Sequence, residues 1–197
     1  MEPTSLLDLP RLDPRDLAAH TVEAARRLLG CVLVRRDGAD VLAGRIVETE
    51  AYRPDDPASH SFRGPSARNA SMFGSPGRAY VYLIYGRNHC LNVVTEGAGT
   101  GAAVLIRALE PLAGMEAMRE RRGSPHLTNG PGRLCQAMGI DRSLDGADLL
   151  GGDRLYLLAA PPLPDEAIRA TGRIGISKAV DWPWRFVVAG NAHLSRK

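Results

Sequence analysis

The sequence predicts an α+β fold in a single domain: a curved, mainly antiparallel sheet with surrounding helices and a protruding β-hairpin. Three observations lead there. At 197 residues and 44% hydrophobic, the chain can bury a full core as one domain. Strand patterns outnumber helical ones and are not regularly interleaved with them, which favours α+β. No repeat or linker divides residues 1–197.

The elements follow in order. Residues 1–12 read as a flexible arm. Asp13-Pro14 has the form of an N-cap with proline in the first turn, and Leu17, Val22, Ala25, Leu28 and Leu29 make a helical stripe ending at Gly30. Cys31–Arg36 and Val41–Tyr52 read as strands joined at Asp37-Gly38. Residues 54–77 are rich in Pro, Ser, Gly, Arg and Asn, and a loop of that length inside a domain points to function or disorder. The hairpin comes next, with Ala79–Tyr85 and His89–Thr95 flanking Gly86-Arg87-Asn88. Ala102–Leu109 reads as a buried strand closed by Glu110-Pro111. Gly114–Arg122 and Arg133–Met138 read as helices, and Leu155–Leu158, Arg173–Ile176 and Arg185–Val188 as late strands.

Charge and aromatic residues are unevenly spread. Tyr52, Tyr80, Tyr82 and Tyr85, four of five tyrosines, fall within 34 residues. Between Pro57 and Thr95 there is no Asp or Glu, yet Arg63, Arg68, Arg78 and Arg87 are present. Aromatic faces, cations and a carboxylate, Glu50, that opens the tyrosine-bearing stretch fit a site that stacks a nucleobase and neutralises phosphate. The net charge of +3 agrees with a polyanionic partner but decides nothing alone.

Strand parity sorts the candidates. Glu48 and Glu50 share a face, either as a solvated pair or as part of a site, and Glu50 lies nearer the acid-free segment. Tyr80 and Tyr82 share one face; Tyr85 belongs to the opposite set, at the hairpin tip beside Arg87 and Asn88. Packing alone accounts for Tyr80. Arg107 lies in a strand that reads as buried and needs an acidic partner, for which Glu50 is suited. A lone loop histidine such as His60 is more often a surface residue than a catalyst, and Asn92 on the returning strand fits a pocket or an exposed face equally. Gly130-Pro131-Gly132-Arg133 opens a helix whose free amides could hold a phosphate, or is simply a turn.

No His/Cys/Asp/Glu spacing suits a metal and no cofactor is implied. Cys31, Cys90 and Cys135 are odd in number and widely spaced, which favours a reducing compartment. No run approaches the ~18 apolar residues of a membrane span. A soluble protein is expected, cytoplasmic and nucleoid-associated in a bacterium or nuclear in a eukaryote.

Several motifs in one order resemble a known family. They are Ile46-Val47-Glu48-Thr49-Glu50-Ala51-Tyr52, Arg68-Asn69 through Met72-Phe73, and Tyr80-Val81-Tyr82-Leu83-Ile84-Tyr85-Gly86. Val104-Leu105-Ile106-Arg107-Ala108-Leu109-Glu110-Pro111 and Leu134-Cys135-Gln136-Ala137 complete the set. From about Thr21 to Val188 the chain resembles the mammalian-type 3-methyladenine (alkyladenine, methylpurine) DNA glycosylases.

The resemblance implies an enzyme that flips a damaged purine from duplex DNA and hydrolyses its N-glycosidic bond. It puts Glu50 where the family has the base that activates water, Arg107 where an arginine holds that water, and the Ile174 carbonyl at a third water contact. Tyr52, His60 and Tyr82 match residues around the flipped base, and Asn92 one that rejects guanine. Tyr85 matches the side chain that fills the gap in the duplex. With Arg87, Asn88, Arg63, Arg68 and Arg133, it completes the expected DNA contacts. Alkylated or deaminated purines of the 3-methyladenine, hypoxanthine and ethenoadenine type are the implied lesions, acted on by a monomer. The chain departs from the mammalian pattern in a loop between Tyr52 and His60 that is one residue shorter, and in Arg87-Asn88 at the hairpin tip. Lys178 is the only lysine before the C-terminal residue, so a hydrolase without lyase activity is expected. A non-catalytic binder of distorted duplex would have no use for Glu50 beside a polyanion.

Overall fold

The computed structural model describes residues 8–18, 20–84 and 86–196. In chain order the elements are α1 (Arg15–Ala18), α2 (Thr21–Arg27), β1 (Val32–Asp37), β2 (Asp40–Tyr52), β3 (Ala79–Ile84), β4 (Asn88–Thr95) and β5 (Ala102–Ala113). They continue with α3 (Met115–Arg122), α4 (Pro131–Met138), β6 (Leu155–Leu158), β7 (Ile168–Thr171) and β8 (Arg185–Val188). The strands form one curled antiparallel sheet in the order β3-β4-β5-β2-β1-β6, with β8 joined to β2 and β7. The α+β expectation therefore holds, and β3 pairs antiparallel with β4 at one end of the strand order.

The sheet gathers around β2 because that strand is long and apolar enough to serve three partners. Its first half pairs with β1, its second with β8, and its other edge with β5. Leu33, Ile46, Leu91, Ile106 and Leu109 from the sheet meet Leu28 at the end of α2 and Met118, Leu134 and Met138 from α3 and α4 in the main core. On α4, Leu134, Cys135, Ala137 and Met138 are buried while Arg133 and Gln136 are exposed, the amphipathic pattern of a helix laid on a sheet. Among the described residues no helix is long and apolar enough to cross a membrane.

Four expectations change. The first helical stripe is two helices, because His20 is extended (ψ 133°) and its Nδ1 accepts from the Val22 N–H. The distant Glu96 carboxylate caps the second one, accepting from the Thr21 N–H at 3.0 Å and hydroxyl at 2.5 Å. β5 runs on through Glu110-Pro111 to Ala113; Pro111 is tolerated because its register partner, Gly44, lies at an irregularity of the ladder. Arg173–Ile176 is not a strand, since Gly175 adopts a left-handed φ of 79° and the segment turns its polar groups towards β2. Pro10–Leu12, read as arm, run along β6: Leu12 donates to the Leu157 carbonyl and Arg11 stacks on the Tyr156 ring.

Candidate active site

Two irregularities in the β2–β5 ladder build the centre. Register partners run Ile46↔Leu109, Glu48↔Ala108 and Thr49↔Ile106, so the pairing skips Val47 on β2 and Arg107 on β5. Bulged residues leave the ladder and re-aim their side chains. Here Arg107 is turned between the two carboxylates of β2. Its Nε donates to Glu48 Oε1 at 3.0 Å and its Nη1 to Glu50 Oε2 at 3.2 Å. The expected Arg107–Glu50 partnership is thus present, with Glu48 as a second partner.

Glu50 is completely buried. Beyond Arg107 it accepts from the Tyr52 hydroxyl at 2.8 Å and from the Ile174 N–H at 2.7 Å. It is the Ile174 N–H that touches Glu50; the sequence expectation had concerned that residue's carbonyl. A carboxylate offers about four acceptor positions, and these bonds use three, leaving one on Oε1. Burial pushes the Glu50 carboxyl above its ordinary 4.5, against the opposing pull of Arg107, Ile174 and Tyr52.

In front of this centre opens a cavity of about 300 Å³, within the size range of small-ligand sites. Tyr52, Arg107 and Ile174, the three groups bonded to Glu50, all line it, so the carboxylate lies directly behind its wall. His60, Tyr80, Tyr82 and Asn92 line it as well, with Met72, Ile84 and Leu105 supplying apolar surface. His60 meets Tyr82 edge-on, at 4.6 Å between centroids and 74° between planes. Its Nδ1 lies 2.9 Å from the Tyr80 hydroxyl. The residue is exposed at the rim while its ring is partly desolvated, and that desolvation, helped by the Arg68 charge, holds the imidazole below its ordinary 6.5. A neutral ring facing the cavity results. Burial pushes the Tyr80 phenol up to about 12 and drives Tyr52 and Tyr82 higher still, so all three remain hydroxyl donors. The Asn92 Nδ2 donates to the Tyr80 carbonyl at 2.9 Å, which fixes that side chain across the β3–β4 pair.

The long loop is held by buried polar residues, which explains its few apolar anchors. Asn69, only 3% exposed, bonds the carbonyls of His60 and Gly64 through Nδ2 and the Ser66 N–H through Oδ1. Asp56 pairs through both oxygens with Arg173, and neither side chain is exposed at all. Arg173 also donates to the Ala51 carbonyl at 2.9 Å and lies 4.7 Å over the Tyr52 ring. One buried ion pair therefore ties the loop bearing His60 to the segment bearing Ile174.

Four of the expected DNA contacts lie on the surface. Arg63, Arg68, Arg87 and Arg133 are exposed, and none forms a salt bridge among the described residues. Arg133 bonds the Asn129 carbonyl and side chain. Asn88 packs against Gly132, which brings the hairpin tip onto the start of α4. Tyr85 lies outside the described residues. Among the described residues no group of three or more His, Cys, Asp or Glu side chains is placed to hold a metal.

Sequence reasoning missed Asp56 and Arg173, assigned Tyr80 to packing, and left Glu48 open between a solvated pair and the site. Tyr80 shared the parity of Tyr82, and Asp56 is the last acid before the acid-free stretch, so both carried a signal. Arg173 carried none, because its partner lies 117 residues away.

Comparison with known proteins decides what this centre belongs to. A family model for methylpurine-DNA glycosylases matches residues 15–192. The chain belongs to the methylpurine-DNA glycosylase family. It is therefore a DNA glycosylase of base excision repair, a hydrolase of N-glycosyl bonds. A Rubrobacter xylanophilus protein provisionally named a 3-methyladenine DNA glycosylase is 55% identical over 83% of this chain and 86% of its own length. Proteins with the same provisional name from Carboxydothermus hydrogenoformans and Methanoculleus marisnigri are 46% and 50% identical. They cover 93% and 90% of this chain, and 98% and 94% of their own lengths.

Proposed function

We propose that the enzyme flips an alkylated or deaminated purine out of duplex DNA into this cavity and hydrolyses its N-glycosidic bond with a water activated by Glu50. The observation that carries this reading is a buried carboxylate behind a tyrosine-lined cavity, with one acceptor position left beside Arg107 and Ile174.

A base inside a duplex is shielded from water, and extruding it costs a few kcal/mol. Tyr85 offsets part of that cost by filling the gap, a role resting on its place in the sequence. Tyr52, His60 and Tyr82 surround the extruded ring, and their π faces favour a cationic alkylated purine. Asn92, held by its bond to Tyr80, excludes the exocyclic amine of guanine. The bond between sugar C1′ and purine N9 then breaks, and its electron pair leaves with the base. Water adds to C1′ and gives its proton to Glu50, whose charge also stabilises the oxocarbenium character of the sugar. Arg107 orients the water and keeps Glu50 ionised. The products are an abasic site and a free purine, which leaves neutral when alkylated and takes up a proton from solvent when deaminated.

Arg63, Arg68, Arg87, Asn88 and Arg133 engage the phosphates of duplex DNA, on which the protein acts as a monomer. Each phosphate contact releases counterions, so Arg68→Ala should reduce the slope of log affinity against log salt by about 0.9. An unchanged slope would remove Arg68 from the interface. Among the described residues no lysine lines the cavity, so borohydride should trap no covalent protein–DNA adduct.

The function is tested with duplex oligonucleotides carrying 3-methyladenine, hypoxanthine or ethenoadenine, treated with alkali after incubation. Strand cleavage at the lesion is expected, and no cleavage of any of the three would defeat the proposal.

A further inference from the structure

Behind Arg107 lies a second carboxylate that the reaction above does not use. Glu48 is completely buried, and Oε1 accepts from three donors: Arg107 Nε at 3.0 Å, Arg185 Nε at 2.7 Å and the Ser195 hydroxyl at 2.7 Å. Its Oε2 accepts from the Ser195 N–H at 2.6 Å. Arg107 reaches the same hydroxyl through Nη2 at 3.4 Å. The β5 ladder does not fix Arg107, because the register skips it, so its direction is left to these side-chain bonds. A guanidinium is a rigid plane, and anchoring Nε on one carboxylate sets where Nη1 points.

We propose that Glu48 is a positioning residue for the reaction: it aims Arg107 at Glu50 and balances the charge around Glu50, with Ser195 closing the network. The charges on both sides are equal, Glu48 and Glu50 against Arg107 and Arg185. Burial pushes Glu48 up, but Ser195 and Arg185 outweigh it and hold the carboxyl below its ordinary 4.5, so Glu48 remains charged. The groups facing Glu50 are Glu48 and Tyr52 on β2, Arg107 on β5, Arg185 opposite it on β8, the Cys90 thiol on β4, and Ile174 beside Arg173. Removing the charge of Glu48 leaves two arginines acting on Glu50 alone. That makes Glu50 easier to ionise and a weaker base.

The inference rests on the reading of Glu50 as the base, and single-turnover excision against pH, with duplex affinity measured in the same samples, separates the two. Glu48→Gln should move the acid limb down by about one pH unit. It should slow excision at neutral pH about tenfold and change affinity by less than about twofold. A folded Glu48→Gln protein with the wild-type limb and rate would overturn the inference. Should that protein not fold, Ser195→Ala decides. It keeps every charge, so the limb should stay while the rate falls about threefold through a looser Arg107. A wild-type rate would then overturn the inference. Glu50→Gln run alongside is the control: if it excises normally the proposed reaction fails, and if it is inactive while Glu48→Gln is normal, only the role of Glu48 fails.

Discussion

Glu50→Gln is expected to slow excision of a lesion by about 10²- to 10⁴-fold, the contribution of a positioned general base. Duplex affinity should hold or tighten, because one negative charge beside a polyanion is removed. The amide fills the same space but cannot take a proton from water. Stability should respond in the opposite sense to activity. The folded-state pKa of Glu50 is raised by burial, so the stability it lends is fully present below about 4.5 and is lost as pH rises through the raised value. Above that raised value its ionised form opposes folding, and there Glu50→Gln should melt at or above the wild-type temperature. Thermal melts at pH 7 and pH 4 check this: the advantage of the variant should shrink at the lower pH. A variant that keeps wild-type excision would end the base assignment.

Asp56→Ala should destabilise the fold by about 3–5 kcal/mol, the usual consequence of leaving a buried charge without its partner. Arg173 has no exposure through which to recover hydration, and its remaining bond to the Ala51 carbonyl is neutral. The same change should loosen the site, since the Asp56–Arg173 pair holds the His60 loop to the segment whose Ile174 N–H touches Glu50. Denaturant unfolding at neutral pH measures the first effect. A loss below about 1 kcal/mol, the size of an exposed ion pair, would contradict the clamp.

The parts legible in the sequence were those set by local pattern. Alternation carried β2 to β5, and parity put Glu48, Glu50 and Tyr52 together and paired Tyr80 with Tyr82. Those rules depend on neighbours in sequence, and in the structure Tyr52, Tyr80 and Tyr82 line one cavity with Glu50 bonded to the Tyr52 hydroxyl behind it. What remained hidden depends on distant partners. Glu96 caps a helix that lies 75 residues earlier, which splits a stripe that looks continuous. The bulge that frees Arg107 is a property of two strands together. Asp56 and Arg173 read separately as a loop acid and a strand arginine, and only their burial as a pair shows the clamp. Gly175 ends the strand read at Arg173–Ile176 because its left-handed backbone serves the Ile174–Glu50 bond.

The most direct test of the central claim is the pH dependence of single-turnover excision on one lesion-bearing duplex, for the wild type and Glu50→Gln together. If ionised Glu50 activates the water, wild-type excision falls on the acid side of a limb lying above 4.5, the ordinary value for glutamate. The residual rate of Glu50→Gln should show no such limb. The same limb in both proteins would contradict the account and assign the base to another group.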